Sequence, residues 1–356
     1  MLSPEELAVA AAYYDIGTAG EMQHNPSKNV LYVAVPLDRI ASRLGVPLDQ
    51  ATRRLASATE ALRAARGRRT APAVDRSRYT NWNGMLASAL LRAGVVLGDD
   101  WARDHALRTL DRIRGEQEDP ASLRHSPGGI GGLLDDQVQV AQAALDAHEA
   151  TGDAGWLDWA IALLERVQTG FRDRGGGGLL DVAVDRRGEG LLPTPAKPVQ
   201  DAPTPSPNGV ATLCYARLAA RTGERRWAAQ RDELARAFAG RARELGLHGA
   251  TILLGLDWAV NPATHIVIVP GEEPGGQKAV EGMRRTALSA FVPRRVVQVV
   301  GDRDGGMSGL PGVLRGMLTA GGGTRAYLCQ GTSCRAPIFN EAELATALAS
   351  PPEAVD

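Results

Sequence analysis

The stretch Thr151-Gly152-Asp153-Ala154-Gly155-Trp156 has the sequence of a tight turn between two helices, and it recurs twice in altered form. The related stretches are Leu97-Gly98-Asp99-Asp100-Trp101 and Thr222-Gly223-Glu224-Arg225-Arg226-Trp227. In each stretch a glycine can end one helix, and an acidic residue lies where its charge stabilises the start of the next. We expect the tryptophan to anchor the second helix on the first. The three stretches therefore predict helical hairpins.

Apolar residues at helical spacing flank these turns on both sides. The predicted helices cover residues 83–97, 100–115, 131–151, 154–172, 208–221 and 225–245. The turns recur after about 55 and then about 71 residues, because long loops separate one hairpin from the next, whereas regular solenoids repeat at roughly 20 to 50 residues. All the long loops leave the hairpins at the end opposite to the tight turns. The sequence therefore predicts a mainly α toroid of hairpins, with a ligand site at its loop-rich end.

The chain changes character before and after these hairpins. Helical spacing also marks residues 5–14, 37–44 and 47–66 near the N-terminus. After residue 262 the pattern predicts strands over 264–269, 295–300 and 325–329 and helices over 277–290 and 310–320. This strand-helix-strand order is typical of a small parallel sheet. We therefore divide the chain into N-terminal helices (1–75), a helical-hairpin toroid segment (76–262) and a small α/β subdomain (263–356).

The composition narrows the classes of partner. The 356 residues include 40 basic and 41 acidic side chains, so the net charge of -1 creates no field that attracts nucleic acid or an anionic membrane. The N-terminus lacks the basic and apolar regions of a secretory signal, and no uncharged apolar run reaches the roughly 18 residues of a membrane span. Three cysteines are too few for a disulfide scaffold. We expect a cytoplasmic protein that binds neither nucleic acid nor a membrane.

The segment Lys197–Asn208 is the first candidate for a functional loop. Its four prolines exclude a helix, and a helical run begins directly after it, which predicts a stiff loop at a helix N-terminus. Lys197 is one of only three lysines in an arginine-rich chain, and Asp201 lies four residues further on. The alternative is a proline-rich connector with a chance lysine.

Two further loops carry candidate groups. One runs from His125 through a glycine-rich segment to Asp135 and Asp136, and the other contains four consecutive glycines, including Gly177 and Gly178. Neither glycine run has Walker spacing, so we expect flexible turns and no nucleotide cofactor. Asp136 and Asp201 form a candidate catalytic carboxylate pair, although acids near helix starts also serve as ordinary dipole partners.

Cys329 and Cys334 follow the third predicted strand, with four residues between them. This spacing, without a second ligand pair nearby, argues against a zinc site, and a redox pair more typically has two intervening residues. We expect structural or free thiols, with a reversible disulfide as the alternative. We predict no metal site.

The ordered motifs resemble the C-terminal half of the thioredoxin-domain-containing proteins related to the spermatogenesis-associated protein. Departures occur at Gln137, where the family has tyrosine, and at Pro207, where it has glycine. The family's N-terminal thioredoxin-like domain and first hairpins have no counterpart. The matching pieces are Tyr13-Tyr14-Asp15 with Asn29-Val30-Leu31; Asp75 with Trp82-Asn83-Gly84; Asp135-Asp136 with His148-Glu149-Ala150-Thr151-Gly152-Asp153; Gly177-Gly178; Lys197, Asp201, Pro205 and Asn208; and Cys329, Cys334 and Pro337.

The resemblance implies a partial (α/α)6 toroid similar to six-hairpin glycosidases and N-acylglucosamine 2-epimerases. It favours a carbohydrate-directed protein, either a hydrolase or isomerase or a degenerate sugar binder. In that interpretation Asp136, Asp201 and Lys197 are catalytic. The predicted substrate-binding residues are Asp75, Trp82, Asn83, Gly177, Gly178 and Asn208.

The alternative hypothesis is a non-catalytic interaction protein. An incomplete helical ring exposes apolar helix faces, which favours association with a thioredoxin-like chain, an N-terminal toroid chain or a second copy. A third, thiol-redox hypothesis depends on Cys329 and Cys334.

Overall fold

The computed structural model describes residues 2–186, 195–300, 322–331 and 333–349. The chain folds into two compact units, Met1–Arg76 and Ser77–Asp356. The first unit contains helices α1 (Pro4–Tyr14), α2 (Leu37–Leu44) and α3 (Leu48–Gly67), which pack on one another. At the start of α1 the backbone N–H of Glu6 donates to Ser3 Oγ (3.1 Å), and the Glu6 carboxylate also accepts from Ser57 on α3.

The second unit begins with the predicted hairpins. Their tight turns lie close to the positions that the sequence indicates. The helices are α4 (Thr80–Leu97), α5 (Asp100–Gly115), α6 (Leu134–Thr151), α7 (Ala154–Gly170), α8 (Pro207–Thr222), α9 (Arg225–Leu245) and α10 (Ala250–Val260). No helix within the described ranges is both long enough and apolar enough to cross a lipid bilayer.

The three tight turns have the predicted backbone conformation. Gly98, Gly152 and Gly223 each follow the last helical residue with φ between 67° and 76°, where a side chain would be strained. The carboxylates of Asp99 and Asp153 each accept a backbone N–H in the first turn of the next helix. Both features confirm the hairpin prediction.

The tryptophans of the three turns do not all have the predicted role. Trp227 is 1% exposed and stacks on Tyr215 of α8, with ring centroids 5.9 Å apart. Trp156 is also buried, beside Trp159 of its own helix. Trp101 is 64% exposed and stacks on His105 one turn along α5. The prediction of an anchor at Trp101 is therefore wrong, because the ring lies along the surface of its own helix.

The helices α4, α6, α8 and α10 form an inner row in which each packs on the next, and α5, α7 and α9 pack outside them. One large apolar core fills the space between the two rows. This arrangement is the predicted partial α/α toroid. The sequence did not predict α10, which is the fourth inner helix and is followed by a strand rather than by an outer helix.

A small sheet follows α10. Its strands are β1 (Thr264–Val269), β2 (Arg295–Val299), β3 (Arg325–Gln330) and β4 (Ser333–Cys334), in the order β2-β1-β3-β4. Helices α11 (Gly276–Ser289) and α12 (Glu341–Ala349) accompany it. β1 and β2 are parallel, but β3 pairs antiparallel with β1, so the prediction of a fully parallel sheet is wrong. The helix predicted over 310–320 lies outside the described residues.

The sheet packs against the helices at the tight-turn end of the second unit. Arg221, in the last turn of α8, donates from Nη1 to the backbone carbonyl of Val297 in β2 (3.0 Å). α11 lies against α4, where Ser289 Oγ approaches the carbonyl of Val95 (3.4 Å). The loop-rich end of the inner helices is thus opposite to the sheet.

We predict that Gly84→Ala destabilises the second unit. A Cβ at Gly84 would lie 3.1 Å from the backbone of Gln139 and Val140 on α6, atoms that no rotamer change can move away. Overpacking of about 1–3 kcal/mol should exceed the gain of about 0.5–1 kcal/mol from replacing a helical glycine. Urea unfolding at fixed pH measures the difference.

The matched control is Gly240→Ala in α9, where an added Cβ meets no atom within 4 Å. It should raise the free energy of unfolding by about 0.5–1 kcal/mol. Equal effects of the two substitutions would contradict a close contact between α4 and α6.

Candidate functional site

Asp136 is the most perturbed carboxyl group at the loop-rich end. It lies in the first turn of α6 with no exposed surface. The backbone N–H of Asn81 donates to its Oδ1 (3.0 Å), and Nδ1 of His125 lies 3.1 and 3.2 Å from its two oxygens. Burial raises the pKa of Asp136 to about 6, against the opposing effects of His125 and Asn81. This carboxyl can therefore hold or release a proton near neutral pH.

Asp135 also contacts Asn81, the residue of α4 that binds Asp136. Its Oδ2 accepts from Asn81 Nδ2 (2.6 Å), and its Oδ1 accepts from Gln139 Nε2 (3.1 Å). Both carboxylates therefore converge on Asn81, one on its backbone and the other on its side chain. Gln139 Nε2 also approaches the carbonyl of Pro205 (3.4 Å), which connects this acidic centre to the proline-rich loop.

Aromatic rings border the acidic centre. The Tyr79 ring lies 5.0 Å from the Trp82 ring in an edge-on arrangement and 5.0 Å from the His125 imidazole. Trp82 is 58% exposed. The backbone carbonyl of His125 accepts from the N–H of Thr80 (2.9 Å), which fixes the His125 loop against the start of α4. The Tyr79 ring thus lies between an exposed indole and the imidazole that contacts Asp136.

Lys197 belongs to a second cluster. Its Nζ lies 2.6 Å from Asp173 Oδ2, and both side chains are about three-quarters buried. The hydrogen bond from Lys197 and those from Gly175 and Gly176 hold the pKa of Asp173 at about 2. The ammonium group is therefore committed to an ion pair inside the glycine-rich turn.

Gly177 and Gly178 shape that turn. Both have positive φ, 67° and 79°, and the Gly178 carbonyl accepts from the N–H of Asp173 (3.0 Å). A Cβ at Gly178 would lie 2.7 Å from the ring of Phe238 on α9. The two glycines let the turn close around Asp173 and pack against α9.

The side chains of Asp201 and Asn208 form hydrogen bonds to backbone groups of the surrounding loops. Asp201 accepts the backbone N–H groups of Ser206 (2.7 Å) and Thr251 (2.8 Å), so it joins the proline-rich loop to the start of α10. Asn208, which has no exposed surface, bonds both backbone groups of Leu179 and the carbonyl of Pro198. These contacts favour a role in positioning the loops.

The predicted site residues therefore occupy several places. Trp82 and Asp136 lie together around Asn81, and Lys197 lies with Gly177 and Gly178. Asn83 instead bonds the Tyr79 carbonyl and the guanidinium of Arg112 on α5. Asp75 is exposed in the first unit.

The cysteine pair lies in the sheet. Cys329 of β3 and Cys334 of β4 are paired strand neighbours, and their sulfurs are bonded as a disulfide. Across the described ranges, no group of three or more His, Cys, Asp or Glu side chains is arranged to hold a metal ion.

Sequence reasoning gave no function to His125, Tyr79 or Asn81. His125 lies in a loop that the sequence did single out, but its bond to Asp136 spans 11 residues and a turn. Asn81 is an ordinary helix-capping residue type, and the sequence assigned it no role. In the structure it lies inside α4 and binds Asp135. Tyr79, two residues before Asn81, is a local signal that the sequence prediction did not use.

The Asp136 carboxyl should make stability fall as pH rises. Its pKa in the folded state, about 6, lies above the ordinary value of 3.8, so the folded chain holds the proton more tightly. The stabilisation is complete below about pH 4 and is lost as the pH rises through 6. Relative to Asp136→Asn, the wild type should lose on the order of 3 kcal/mol over this range.

Urea unfolding at pH 4 to 8 tests this difference. The titratable groups that face Asp136 are His125 and Asp135, and both remain in Asp136→Asn, so the comparison isolates one carboxyl. Asp135→Asn serves as the control and should retain most of the pH dependence. Parallel stability curves for wild type and Asp136→Asn would rule out the raised pKa.

No protein-family model matches the chain. Curated relatives do. Over 340 residues the chain is 28% identical to spermatogenesis-associated protein 20 of Homo sapiens, covering 91% of this chain and 42% of that protein. The protein of the same name from Mus musculus is 26% identical over 332 residues, covering 89% of this chain and 41% of that protein. The chain thus spans less than half the length of the curated relatives it matches.

Solved structures overlap parts of the chain. A selenomethionine derivative of a glycoside hydrolase family 76 α-mannanase from Bacteroides thetaiotaomicron covers 52% of this chain and 53% of its own, with a TM-score of 0.43 and 14% identity. An α-1,6-mannanase of the same family from Salegentibacter covers 57% of each chain, with a TM-score of 0.37 and 15% identity.

The similarity to the curated relatives extends over nearly the whole chain, as the ordered motifs predict. The chain is therefore similar to the C-terminal part of spermatogenesis-associated protein 20.

Proposed function

We propose that the second unit is carbohydrate-directed and that Asp135, Asp136 and His125 form its reactive centre. The observation that carries the proposal is the convergence of two carboxylates on Asn81, one of them fully buried with its pKa raised to about 6. Glycoside chemistry requires two carboxyl groups in different environments, one of which carries a proton near neutral pH.

Asp136 is suited to the role of the acid. Asp136 is fully buried, so its proton reaches the oxygen of a departing sugar through His125, whose Nδ1 lies within hydrogen-bond distance and whose side chain is 29% exposed. Asp135 then supplies the second carboxylate, held in place by Asn81 and Gln139. In this proposal Asp201 positions the proline-rich loop, because both its oxygens accept backbone N–H groups.

Trp82 is suited to bind the sugar. Its indole is 58% exposed and packs edge-on against Tyr79, whose ring also contacts His125. The C–H face of a sugar ring packs well on an indole, and a few convergent polar groups then fix its orientation. This arrangement is compatible with hydrolysis of a glycoside, with isomerisation of a sugar, or with sugar binding without turnover.

We predict that Trp82→Ala weakens carbohydrate binding about tenfold and that Asp136→Asn lowers turnover at least 100-fold while retaining binding. Calorimetry with a panel of glycans and free sugars measures binding. Reducing-sugar release and sugar-isomer NMR measure hydrolysis and isomerisation.

Trp101→Ala is the matched control for Trp82→Ala, because Trp101 is a helical indole of similar exposure, 64%, that stacks on His105 of α5 and not on Tyr79. It should leave binding unchanged. If the wild type neither binds nor converts any member of the panel, the carbohydrate proposal is refuted.

A second candidate function is that of an interaction protein which completes its helical ring with another chain. The observation that favours it is the exposure of apolar side chains on the last inner helix: Leu253 is 46%, Leu254 56% and Val260 77% exposed. Water disfavours such a surface, and a toroid-like or thioredoxin-like chain, or a second copy, would cover it.

We predict under this second proposal that the isolated chain self-associates and that Leu253→Glu shifts it towards monomer. Light scattering after size-exclusion chromatography measures the mass. Leu247→Glu is the control, since Leu247 is 94% exposed but precedes α10. A monomeric wild type that does not bind an apolar dye would count against this function.

A further inference from the structure

A cavity of about 360 Å³ lies in the second unit, away from the acidic centre. Its walls come from the C-terminal halves of α4 and α6, from α8 and α10, and from the segment between α11 and β2. The acidic centre instead uses the first turns of α4 and α6. The volume is in the range of sites that hold a small organic molecule.

Two of the arginines that line the cavity already have carboxylate partners. Arg217 pairs with Asp146 (2.7 Å) and Glu149 (3.3 Å), and it is 15% exposed. Arg294 pairs with Asp257 (2.6 Å). These pairs use both of the acidic side chains that line the cavity, Asp146 and Glu149.

Arg92 and Arg295 provide the remaining positive charge. Arg92 is exposed on α4 and has no ion-pair or hydrogen-bond partner among the described residues. Arg295 donates from Nη1 to the carbonyls of Ala287, Leu288 and Ala290, at the end of α11. None of these acceptors carries a charge. Glu149 and Asp146 also attract Arg295, but they pair directly with Arg217, so neither Arg92 nor Arg295 has an ion pair of its own in the described part of the chain.

Two buried polar atoms of cavity-lining residues also lack partners. They are Nε of Arg295 and Oγ of Ser88, neither of which has a hydrogen bond within the described ranges. A buried donor without an acceptor costs free energy. Burial also lowers the pKa of Arg295, against the attraction of Glu149 and Asp146. An anionic acceptor in the cavity would relieve both effects.

Apart from Gln142 and Ser289, the rest of the lining is apolar. It includes the indole of Trp258 and aliphatic side chains from three inner helices and from α11. These residues are Leu91, Val95, Leu213, Leu254 and Leu288. A bare inorganic anion would leave this surface facing water, whereas an organic body would cover it.

We propose that this cavity is a second binding site, which takes a small organic anion with an apolar body. The anionic group lies between Arg92, Arg295 and Ser88, and the apolar part packs on Trp258 and its aliphatic neighbours. The site is independent of the carbohydrate proposal, because the two share no residue.

The test is calorimetry on the full chain with two matched pairs of probes: indole-3-acetate with indole-3-acetamide, and benzoate with benzamide. Each carboxylate should bind at least tenfold more tightly than its neutral amide, since charge-assisted hydrogen bonds are the stronger. Inorganic phosphate is the third probe and should bind at least tenfold more weakly than indole-3-acetate.

Arg92→Gln should weaken carboxylate binding about tenfold and leave amide binding unchanged, with the circular dichroism spectrum preserved. Arg108→Gln is the matched control, since Arg108 is exposed on α5 away from the cavity. Equal binding of carboxylate and amide, no saturable binding of either pair, or phosphate binding as tight as that of indole-3-acetate would each overturn the proposal. Loss of carboxylate binding in Arg108→Gln would do the same.

Discussion

The close approach of the inner helices is the constraint on which the second unit depends. At Gly84 a side chain on α4 would lie 3.1 Å from the backbone of α6, and at Gly255 a side chain on α10 would lie 2.8 Å from Thr212 on α8. Glycine at these points lets neighbouring helices lie closer than side chains would allow. The N-termini of α4 and α6 are therefore near enough for the Asn81 N–H to reach Asp136.

The acidic residues at the loop-rich end differ in their contacts and in the effect of burial on their pKa. Asp201 satisfies backbone donors of two segments, and Asp173 neutralises Lys197, so both hold the loops together. Asp136 differs, because burial raises its pKa and its ionised form destabilises the fold near neutral pH. A residue that weakens the structure it belongs to is commonly retained for chemistry. The geometry thus separates one carboxyl with a raised pKa from two that bind backbone donors or a lysine.

Much of the fold was predictable because its signals are local. The glycine and acid of each tight turn lie within three residues of one another, and they located all six hairpin helices to within three residues at each end. α10 escaped because Ala250–Val260 is apolar almost throughout, so no periodicity distinguishes a helix there. The direction of β3 could not be inferred, since its pairing with β1 joins residues about 60 positions apart.

The candidate site was less predictable than the fold for the same reason. Asp136 was identifiable from its place near the start of a predicted helix. Its partner His125 was not, because no rule of spacing connects a loop histidine to a carboxyl beyond a turn. The bond between Asp201 and Thr251 spans 50 residues, so the sequence alone could not show that both Asp201 oxygens accept backbone N–H groups. Local sequence propensity locates the helices. Only the packing of those helices shows which polar atoms remain available to bind a ligand.

Helix α6 has a property that belongs to neither site alone. It contributes Asp136 in its first turn and Asp146 and Glu149 near its end. This one helix therefore extends from the acidic centre to the cavity. At 1.5 Å per residue, Asp136 and Asp146 are separated by about 15 Å along the axis. A shift or rotation of α6 would move both of its ends at once, so a ligand that displaced the helix at the cavity would also displace Asp136 in the acidic centre.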